Sequence, residues 1–447
     1  MTADLQFTWD WLPPFGEPSP EASTFAELKL RLGERYATEL EDIQARSLRE
    51  GMFVSAYPLA LFLALNWWRL RWEPAPLVPG PDWRLRHNIA AAGEGYAWPD
   101  ITIAGDGEVI FCAVKPSVQS GTSPVRYVAN FTHRVGAETF ERAVRDFVEG
   151  VLARLRAMAV SETELESVWG DVCAELADPQ ASRWRRLEAL AGYDPDQSPD
   201  GFIDSLLGAG AETGWGTIQE LAAASRERAL DDLRVLRGAV SACGVSLAVE
   251  GFDLLQQAVR SALFVAGSAP WRKGAEAAQK VRHAWGVDGR PLENKQLAQL
   301  LNLPGEVLEP GAGLGSSFTA PYSVWMRDNN NDHEARLVLN RRPASSRRFA
   351  VCRLLGDRLL AAESGDRLYA ATDAGSWRQK FQRSFAQELL CPFVSLMDFL
   401  SPGTFPNDDA IEDAACHFQV SPRLVHTTLV NNHVLPSETL EEKDWAA

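Results

Sequence analysis

Paired cysteines are missing from this sequence. Its six cysteines are widely separated, and no two of them form a Cys-x-x-Cys motif: Cys112, Cys173, Cys243, Cys352, Cys391 and Cys416. This spacing matches neither a disulfide framework nor a zinc ribbon. We therefore expect a protein of a reducing compartment, the cytoplasm.

A leader segment and long apolar runs are also missing. The opening residues, MTADLQFTWDWLPPFG, have no basic region followed by an apolar core, so we expect no signal peptide. The most apolar run, residues 53–68, is too short to span a bilayer, contains Pro58 and is followed by Arg69 and Arg71. We interpret it as a buried helix and expect no membrane partner.

Positive charge is in short supply, with 44 Lys and Arg against 60 Asp and Glu and a net charge of −16. This balance disfavours non-specific attraction to nucleic acids. One basic cluster stands out, and its members are Arg341, Arg342, Arg347, Arg348, Arg353 and Arg358. Contacts with phosphate or with a partner are one interpretation of Arg341, Arg342, Arg347 and Arg348, since arginine pairs well with phosphate oxygens. The favoured interpretation is a solvated helix start with internal ion pairs.

The length of 447 residues and the hydrophobic content of 46% are enough for two to three domains with real cores. We predict three regions, in a chain of the α+β class. Residues 1–134 are predicted to be a Trp-rich α+β domain of unknown role. Its predicted elements are strands at 5–11, 83–89 and 124–135, helices at 24–49 and 53–68, and a hairpin over 100–114 that turns at Asp106-Gly107.

Residues 135–267 are predicted to be helical, with apolar stripes at helical spacing over 138–158, 162–178, 182–192 and 218–239. We interpret this middle region as a spacer or docking region. Residues 268–447 are predicted to form a compact unit in which the helix at 347–361 packs against the helix at 376–391. Its predicted elements are a helix, turn and helix over 270–304, two strands in 322–343, helices at 345–360 and 376–393, and a helical pair over 409–435. Ser346 is the predicted N-cap of the 345–360 helix.

Four segments of the third region occur in a recognisable order: the helix carrying Gly274, Arg282 and Gly286, then LVLNRRPASSRRFAVCRLLGDRL, FAQELLCP and HFQVSPRLVHTTL. In this order and at these separations, residues 270–436 resemble the ImmA/IrrE family of zinc-dependent endopeptidases. The resemblance covers none of the first 260 residues. It implies a zincin-like α+β domain whose helix carries His-Glu-x-x-His, with a third acidic ligand on the next helix.

The residues at the corresponding positions depart from the family's pattern. The pentapeptide is Arg353-Leu354-Leu355-Gly356-Asp357, and Gln379 stands at the position of the third ligand. Zinc needs about three nitrogen, sulfur or carboxylate ligands, and only Asp357 offers one. Leu354 cannot accept a proton from water. We expect Arg353, Asp357 and Gln379 to satisfy one another, and we predict no catalytic residue, no metal ligand and no cofactor.

The first hypothesis is therefore a non-catalytic pseudopeptidase that acts as a regulatory or protein-interaction module. Active relatives typically cleave helix-turn-helix repressors, so the resemblance implies a bacterial role in stress, mobile-element or phage-defence regulation. It also implies a repressor or a defence-system component as protein partner. One alternative is a metallo-endopeptidase with a rearranged site that cleaves such a repressor. Another is a nucleic-acid-binding regulator that uses the cluster from Arg341 to Arg358.

Several shorter patterns have an ordinary structural interpretation that we prefer. His333-Glu334 lacks a second histidine at position 337, and the three C-terminal histidines, His417, His426 and His433, have no ligand spacing. The segment 410–429 is similar to a DNA-binding helix-turn-helix motif, but the acidic residues beside it favour a role in packing. The glycine-rich stretch 311–318 has no following lysine and is interpreted as a loop.

Overall fold

The computed structural model describes residues 4–118, 124–248, 251–263, 269–311, 320–327, 334–361, 364–400, 406–436 and 439. The chain forms two compact units, residues 1–204 (unit 1) and residues 205–447 (unit 2). All strand pairs in the described residues are antiparallel and are combined with many helices, which confirms the α+β class.

These two units differ from the three predicted regions because the middle region is divided between them. The helices from Ala137 to Ala191 bury Phe147 and Trp169 in the same core as the N-terminal strands. The strand Val245–Ala248 instead pairs with Glu334–Val338 of the C-terminal region. Helical periodicity reveals that a segment has a buried face, but not which core covers that face.

Unit 1 contains three antiparallel sheets in its described residues, and its core combines the inner faces of their strands with the helices that follow them. The elements are β1 Leu5–Trp11, α1 Pro20–Ser23, β2 Phe25–Leu32, β3 Arg35–Tyr36, β4 Leu40–Asp42, β5 Ser47–Arg49, β6 Met52–Ser55, α2 Ala56–Leu65, α3 Trp67–Trp72, α4 Pro81–His87, β7 Asp100–Gly105, β8 Val109–Lys115, β9 Val125–Tyr127, β10 Phe131–Gly136, α5 Ala137–Ala157, α6 Glu164–Ala177 and α7 Pro179–Ala191. The strand orders of the three sheets are β1-β2-β3 (with β6 also pairing with β2), β10-β8-β7 and β5-β4-β9.

The predicted hairpin is present, and its turn is at Asp106-Gly107. Ile101 pairs with Val114 and Ile103 with Cys112, as expected for β7 and β8. The Asp106 carboxylate accepts hydrogen bonds from the backbone N–H groups of Glu108 and Val109, which fixes the turn. Residues 119–123, within the Ser/Gly-rich stretch that follows, lie outside the described residues.

Two predictions for unit 1 are wrong. Residues 24–49 form the strands β2–β5 rather than a helix, because the buried residues of β2 alternate with less buried ones at period two. Residues 83–89 were expected to be a strand, but Pro81–His87 is a helix with Pro81 at its first turn, and Trp83 and His87 stack one turn apart. The apolar run 53–68 is divided between β6, α2 and α3, and none of the described helices is both long and apolar enough to cross a membrane.

Unit 2 has one antiparallel sheet in its described residues, with the strand order β11-β13-β12-β14. Its core lies between this sheet and the helices α12, α14 and α15. The elements are α8 Phe202–Thr213, which begins in unit 1, α9 Trp215–Ser225, α10 Ala229–Cys243, β11 Val245–Ala248, α11 Phe252–Leu263, α12 Pro270–Ala284, α13 Asn294–Leu300, β12 Ser323–Arg327, β13 Glu334–Val338, α14 Ala344–Leu360, β14 Leu368–Ala371, α15 Trp377–Leu390, α16 Phe393–Phe399, α17 Asp408–Phe418 and α18 Pro422–Asn431.

Helix α14 is the predicted 345–360 helix, and it packs against α15 as expected. Its N-cap is Pro343 rather than Ser346, since the Arg347 N–H already donates to the Pro343 carbonyl. From Arg347 to Leu359 every residue except Phe349 is buried, so α14 is a central helix and not an amphipathic surface helix. The predicted helix over 218–239 is interrupted at Arg226, where φ is 52°.

Candidate functional site

The positions that correspond to the peptidase motif come together where α14 and α15 meet the end of β14. Arg353 donates hydrogen bonds to the Gln379 Oε1 atom and to the Thr372 carbonyl, both at 2.5 Å. The Gln379 Nε2 group donates to the Ala370 carbonyl at 3.1 Å. The expected contact between Arg353 and Gln379 is therefore present, and it links α14 to α15 and to β14.

Asp357 has a different partner from the one expected. The prediction that it pairs with Arg353 is wrong, because Arg378 binds both of its oxygens. The Arg378 Nε atom is 2.5 Å from Asp357 Oδ1, the Nη2 atom is 3.1 Å from Oδ2, and the Nη1 atom is 2.8 Å from Asp366 Oδ2. This forked geometry suits a guanidinium group facing carboxylates. Both carboxylates are almost completely buried.

Burial and neighbouring charges set the protonation of this cluster. Burial lowers the pKa of the Arg378 guanidinium, but the Asp357 and Asp366 carboxylates more than compensate, so its pKa is raised and it stays charged. Burial lowers the pKa of Arg353, and the nearby Arg383 guanidinium lowers it further. Among the described residues Arg353 forms no ion pair, and its charge is met by the carbonyl oxygens of Thr372 and Gln379.

Helix α9 adds one more carboxylate to the cluster. Glu220 is buried and accepts a hydrogen bond from the Ser376 hydroxyl at 2.7 Å, and Ser376 caps α15 by accepting from the Gln379 N–H at 3.2 Å. Burial raises the pKa of Glu220, although the Arg378 charge opposes this. The start of α15 is therefore surrounded by buried polar groups that bond to one another.

The residues at the motif positions do not fit a zinc ion. Leu354 is fully buried in the apolar core, both oxygens of Asp357 are bound by Arg378, and the oxygen of Gln379 is bound by Arg353. A zinc site needs about three free donor atoms in one place. Within the described ranges, no group of three or more His, Cys, Asp or Glu residues is arranged to hold a metal ion.

The basic cluster is largely buried rather than exposed on the surface, because α14 is central. Arg347 donates to the carbonyls of Val307 and Arg341, each at 2.8 Å. Arg348 donates to the Gln419 side chain at 2.7 Å and to the Leu292 carbonyl. These two arginines therefore do not offer the exposed phosphate or partner contacts that the sequence left open.

Of the other four members of the cluster, two are buried and two are exposed. Arg353 and Arg358 are buried, and Arg358 lies over the Tyr369 ring at 5.9 Å. Arg341 and Arg342 are exposed, and Arg341 is 3.9 Å from Asp373. Because four of the six guanidinium groups are buried, the cluster disfavours the nucleic-acid alternative.

The residues that suggested the family resemblance in α12 have clear structural roles. A Cβ atom at Gly274 would be 2.7 Å from the Phe381 carbonyl oxygen, so only glycine allows α12 and α15 to approach so closely. The buried Arg282 donates to the carbonyls of Leu389, Val287 and Arg290, which ties the end of α15 to the turn after α12.

The other sequence candidates are placed as follows. Glu334 begins β13, while His333 and most of the 311–318 stretch lie outside the described residues. His417 stacks on Phe399 with ring centres 4.5 Å apart, and His426 is buried. Helices α17 and α18 bury their apolar faces in the core of unit 2, which agrees with the packing role preferred from the sequence.

Sequence reasoning missed Arg378, Asp366, Glu220 and Ser376. The Ser376-Trp377-Arg378-Gln379 segment has the serine and glutamine spacing of a capping box, so Ser376 could have been found from local sequence. The pairing of Arg378 with Asp357, 21 positions away, has no local signal.

Comparison with known proteins gives no match for this chain, whether against protein-family models, curated proteins or solved structures. The ImmA/IrrE assignment of residues 268–447 therefore stays a prediction.

Proposed function

We propose that this chain is a non-catalytic, ImmA/IrrE-like pseudopeptidase that acts as a regulatory or protein-interaction module. One observation carries the proposal. The positions where the family holds zinc and its catalytic base are occupied by Arg353, Leu354, Asp357 and Gln379, and the three polar ones are bound to neighbouring protein groups.

The energetics of the buried cluster support this proposal. Removing one partner from a buried ion pair costs about 3–5 kcal/mol, so the arrangement around Arg378 resists rearrangement into a metal site. The four-stranded antiparallel sheet, whose strands β12 and β14 pack against α14, supports the zincin-like part of the proposal.

The resemblance also gives the proposed partner. A protein that keeps the shape of a peptidase without its chemistry can bind a repressor without cutting it. We therefore propose a cytoplasmic bacterial protein that binds a helix-turn-helix repressor or a defence-system component in stress, mobile-element or phage-defence regulation.

The first test measures metal in the full chain purified without chelator. We expect no stoichiometric zinc and a melting temperature that EDTA does not change, because a metal that does not bind adds no linkage stabilisation. The comparison protein carries Arg353→His, Leu354→Glu, Asp357→His and Gln379→Glu together, because restoring a zinc site should need at least these four changes. Circular dichroism checks its fold. Each single change is expected to stay metal-free. One mole of zinc per wild-type chain at these residues would overturn the proposal.

The second test incubates the purified chain with purified helix-turn-helix repressors of bacterial mobile elements, with zinc present. We expect binding, measured by calorimetry, without the appearance of repressor fragments on gels. Cleavage of a repressor by the wild-type chain, absent from a sample without it, would favour the metallo-endopeptidase alternative.

A further inference from the structure

Unit 1 contains a groove of about 480 Å³ beside α2, lined by residues of α2, α4 and the turn after α4. Pro58, Leu61 and Phe62 of α2 give the groove one apolar side, and polar and charged residues line the rest of it. At its rim, Leu65 is 43% exposed and Leu85 is 62% exposed. An apolar side with polar groups around it, in a groove of this volume, suits a small organic ligand.

A buried hydrogen-bond acceptor in the lining lacks a partner. Asn66 is 5% exposed, and its Nδ2 group donates to the Phe62 carbonyl at 2.8 Å. This bond fixes which way the amide is turned. The Asn66 Oδ1 atom is then a buried acceptor with no hydrogen-bond partner in the part of the chain that the structure describes. A buried acceptor of this kind favours a ligand that brings a donor.

The charges around the groove select a cation. Glu21, Glu94 and Glu164 line it, and none of them forms an ion pair with another described residue. Asp82 also lines it and lies 3.3 Å from Arg69, while the basic lining residue Arg86 is neutralised by Asp194 at 2.6 Å. The groove is therefore negative overall, with three carboxylates that have no counter-charge.

We propose that this groove binds a small amphipathic amine. The ammonium group donates to the Asn66 Oδ1 atom in the field of Glu21, Glu94 and Glu164, and an alkyl or aryl body packs on Pro58, Leu61 and Phe62. A bare metal ion fits less well, because no group of three or more His, Cys, Asp or Glu residues is arranged to hold one among the described residues. This site is independent of the function proposed for unit 2.

The test titrates the full-length protein with 2-phenylethylamine at neutral pH by calorimetry, with 2-phenylethanol and 3-phenylpropionate as neutral and anionic analogues. We expect millimolar or tighter binding of the amine and at least tenfold weaker binding of both analogues, since a hydrogen bond to a charged donor is worth about tenfold or more. Equal binding of the alcohol, or no binding of the amine at millimolar concentration, would overturn the proposal.

Variants locate the site. Glu94→Gln with Glu164→Gln changes two exposed, unpaired carboxylates without changing side-chain shape, and we expect binding weaker by about fivefold. Asn66→Ala is expected to weaken binding by about tenfold or more, with a melting curve to verify folding.

The control is Asp10→Asn, which removes an exposed carboxylate on β1 outside the groove. This variant should bind the amine like the wild type. Identical affinities for the double variant and the control would contradict the proposal.

Discussion

At the scale of single residues, Arg378 shows how the interior of unit 2 tolerates buried charge. One guanidinium group binds two carboxylates, Asp357 and Asp366, that come from a helix and from the turn before β14. Buried ion pairs of this kind add little net stability, yet they are costly to break. We infer that the cluster fixes the register of α14 against α15.

Glu220 is the residue whose charge should be visible in the pH dependence of stability. Burial raises its pKa in the folded protein above its ordinary value of 4.5. The protonated carboxyl group therefore contributes stability that is fully present below about pH 4.5 and is lost as the pH rises through the folded pKa. Glu220→Gln cannot ionise and keeps an acceptor for Ser376. We expect it to match the wild type near pH 4 and to be more stable at pH 8, by about 1.4 kcal/mol for each unit of the raised pKa.

Urea unfolding at several pH values measures this difference. Glu412→Gln, the same substitution at an exposed position of α17, is the control. A Glu220→Gln protein that is less stable than the wild type at pH 8 would show that the carboxylate is needed in its charged form.

At the scale of elements, α12, α14 and α15 approach closely because small residues stand where they touch. A Cβ atom at Gly356 of α14 would be 2.7 Å from the Phe385 Cδ1 atom, and one at Gly274 of α12 would be 2.7 Å from the Phe381 carbonyl oxygen. The Phe385 ring is fully buried and is not free to move aside, and the Phe381 oxygen belongs to the backbone of α15, which cannot shift without moving the helix.

Gly356→Ala should therefore destabilise unit 2, although alanine is the better helix former. We expect a loss of about 1–3 kcal/mol from overpacking against Phe385. The measurement is the urea midpoint at unchanged slope. Gly208→Ala in α8 is the control, because nothing lies within 4 Å of its added Cβ atom. That change should stabilise by about 0.5–1 kcal/mol, and equal effects of the two substitutions would contradict the close packing.

At the scale of the whole molecule, each unit has its own apolar core. The core of unit 1 runs from Leu5 to Ala189, and the core of unit 2 runs from Leu247 to Leu429. In unit 1, contacts such as the 2.6 Å hydrogen bond from Trp68 to Glu175 join parts of the chain that are far apart in sequence.

We predict that a fragment of residues 1–200 folds and that a fragment of residues 1–134 does not. The longer fragment keeps α5 and α6, which supply Phe140, Phe147 and Trp169 to the core. Removing one such aromatic side chain costs about 3–5 kcal/mol, so losing several exceeds the stability of an ordinary domain. Thermal melting followed by circular dichroism should be cooperative for residues 1–200 and featureless for residues 1–134. A cooperative transition in the shorter fragment would restore the boundary predicted from the sequence.

The core of unit 1 also determines what limited proteolysis near residues 115–123 should produce. If residues 1–134 were a separate folding unit, as the sequence predicted, cuts in this Ser/Gly-rich stretch would release it. In the structure β10 pairs with β8 and β9 pairs with β4, so strands on both sides of this stretch are joined by hydrogen bonds. A chain nicked there should stay together until it is denatured.

The sequence by itself determined the elements that rest on near neighbours. The hairpin at Asp106-Gly107, the helices α5, α6, α14 and α15 and the α+β class all follow from periodicity and turn chemistry within a few residues. The wrong prediction for residues 24–49 also has a local cause. Charged residues lie between the apolar ones there and hid the period-two alternation of a strand.

Only the tertiary structure decided which groups meet across long distances in the sequence. It assigned Asp357 to Arg378 rather than to Arg353. It also buried Arg347 and Arg348 against carbonyl groups of other segments, and it divided the middle helices between two cores. The physical reason is that a long side chain or an apolar helix face can satisfy itself against many partners, and the choice depends on the packing of the whole unit rather than on adjacent residues.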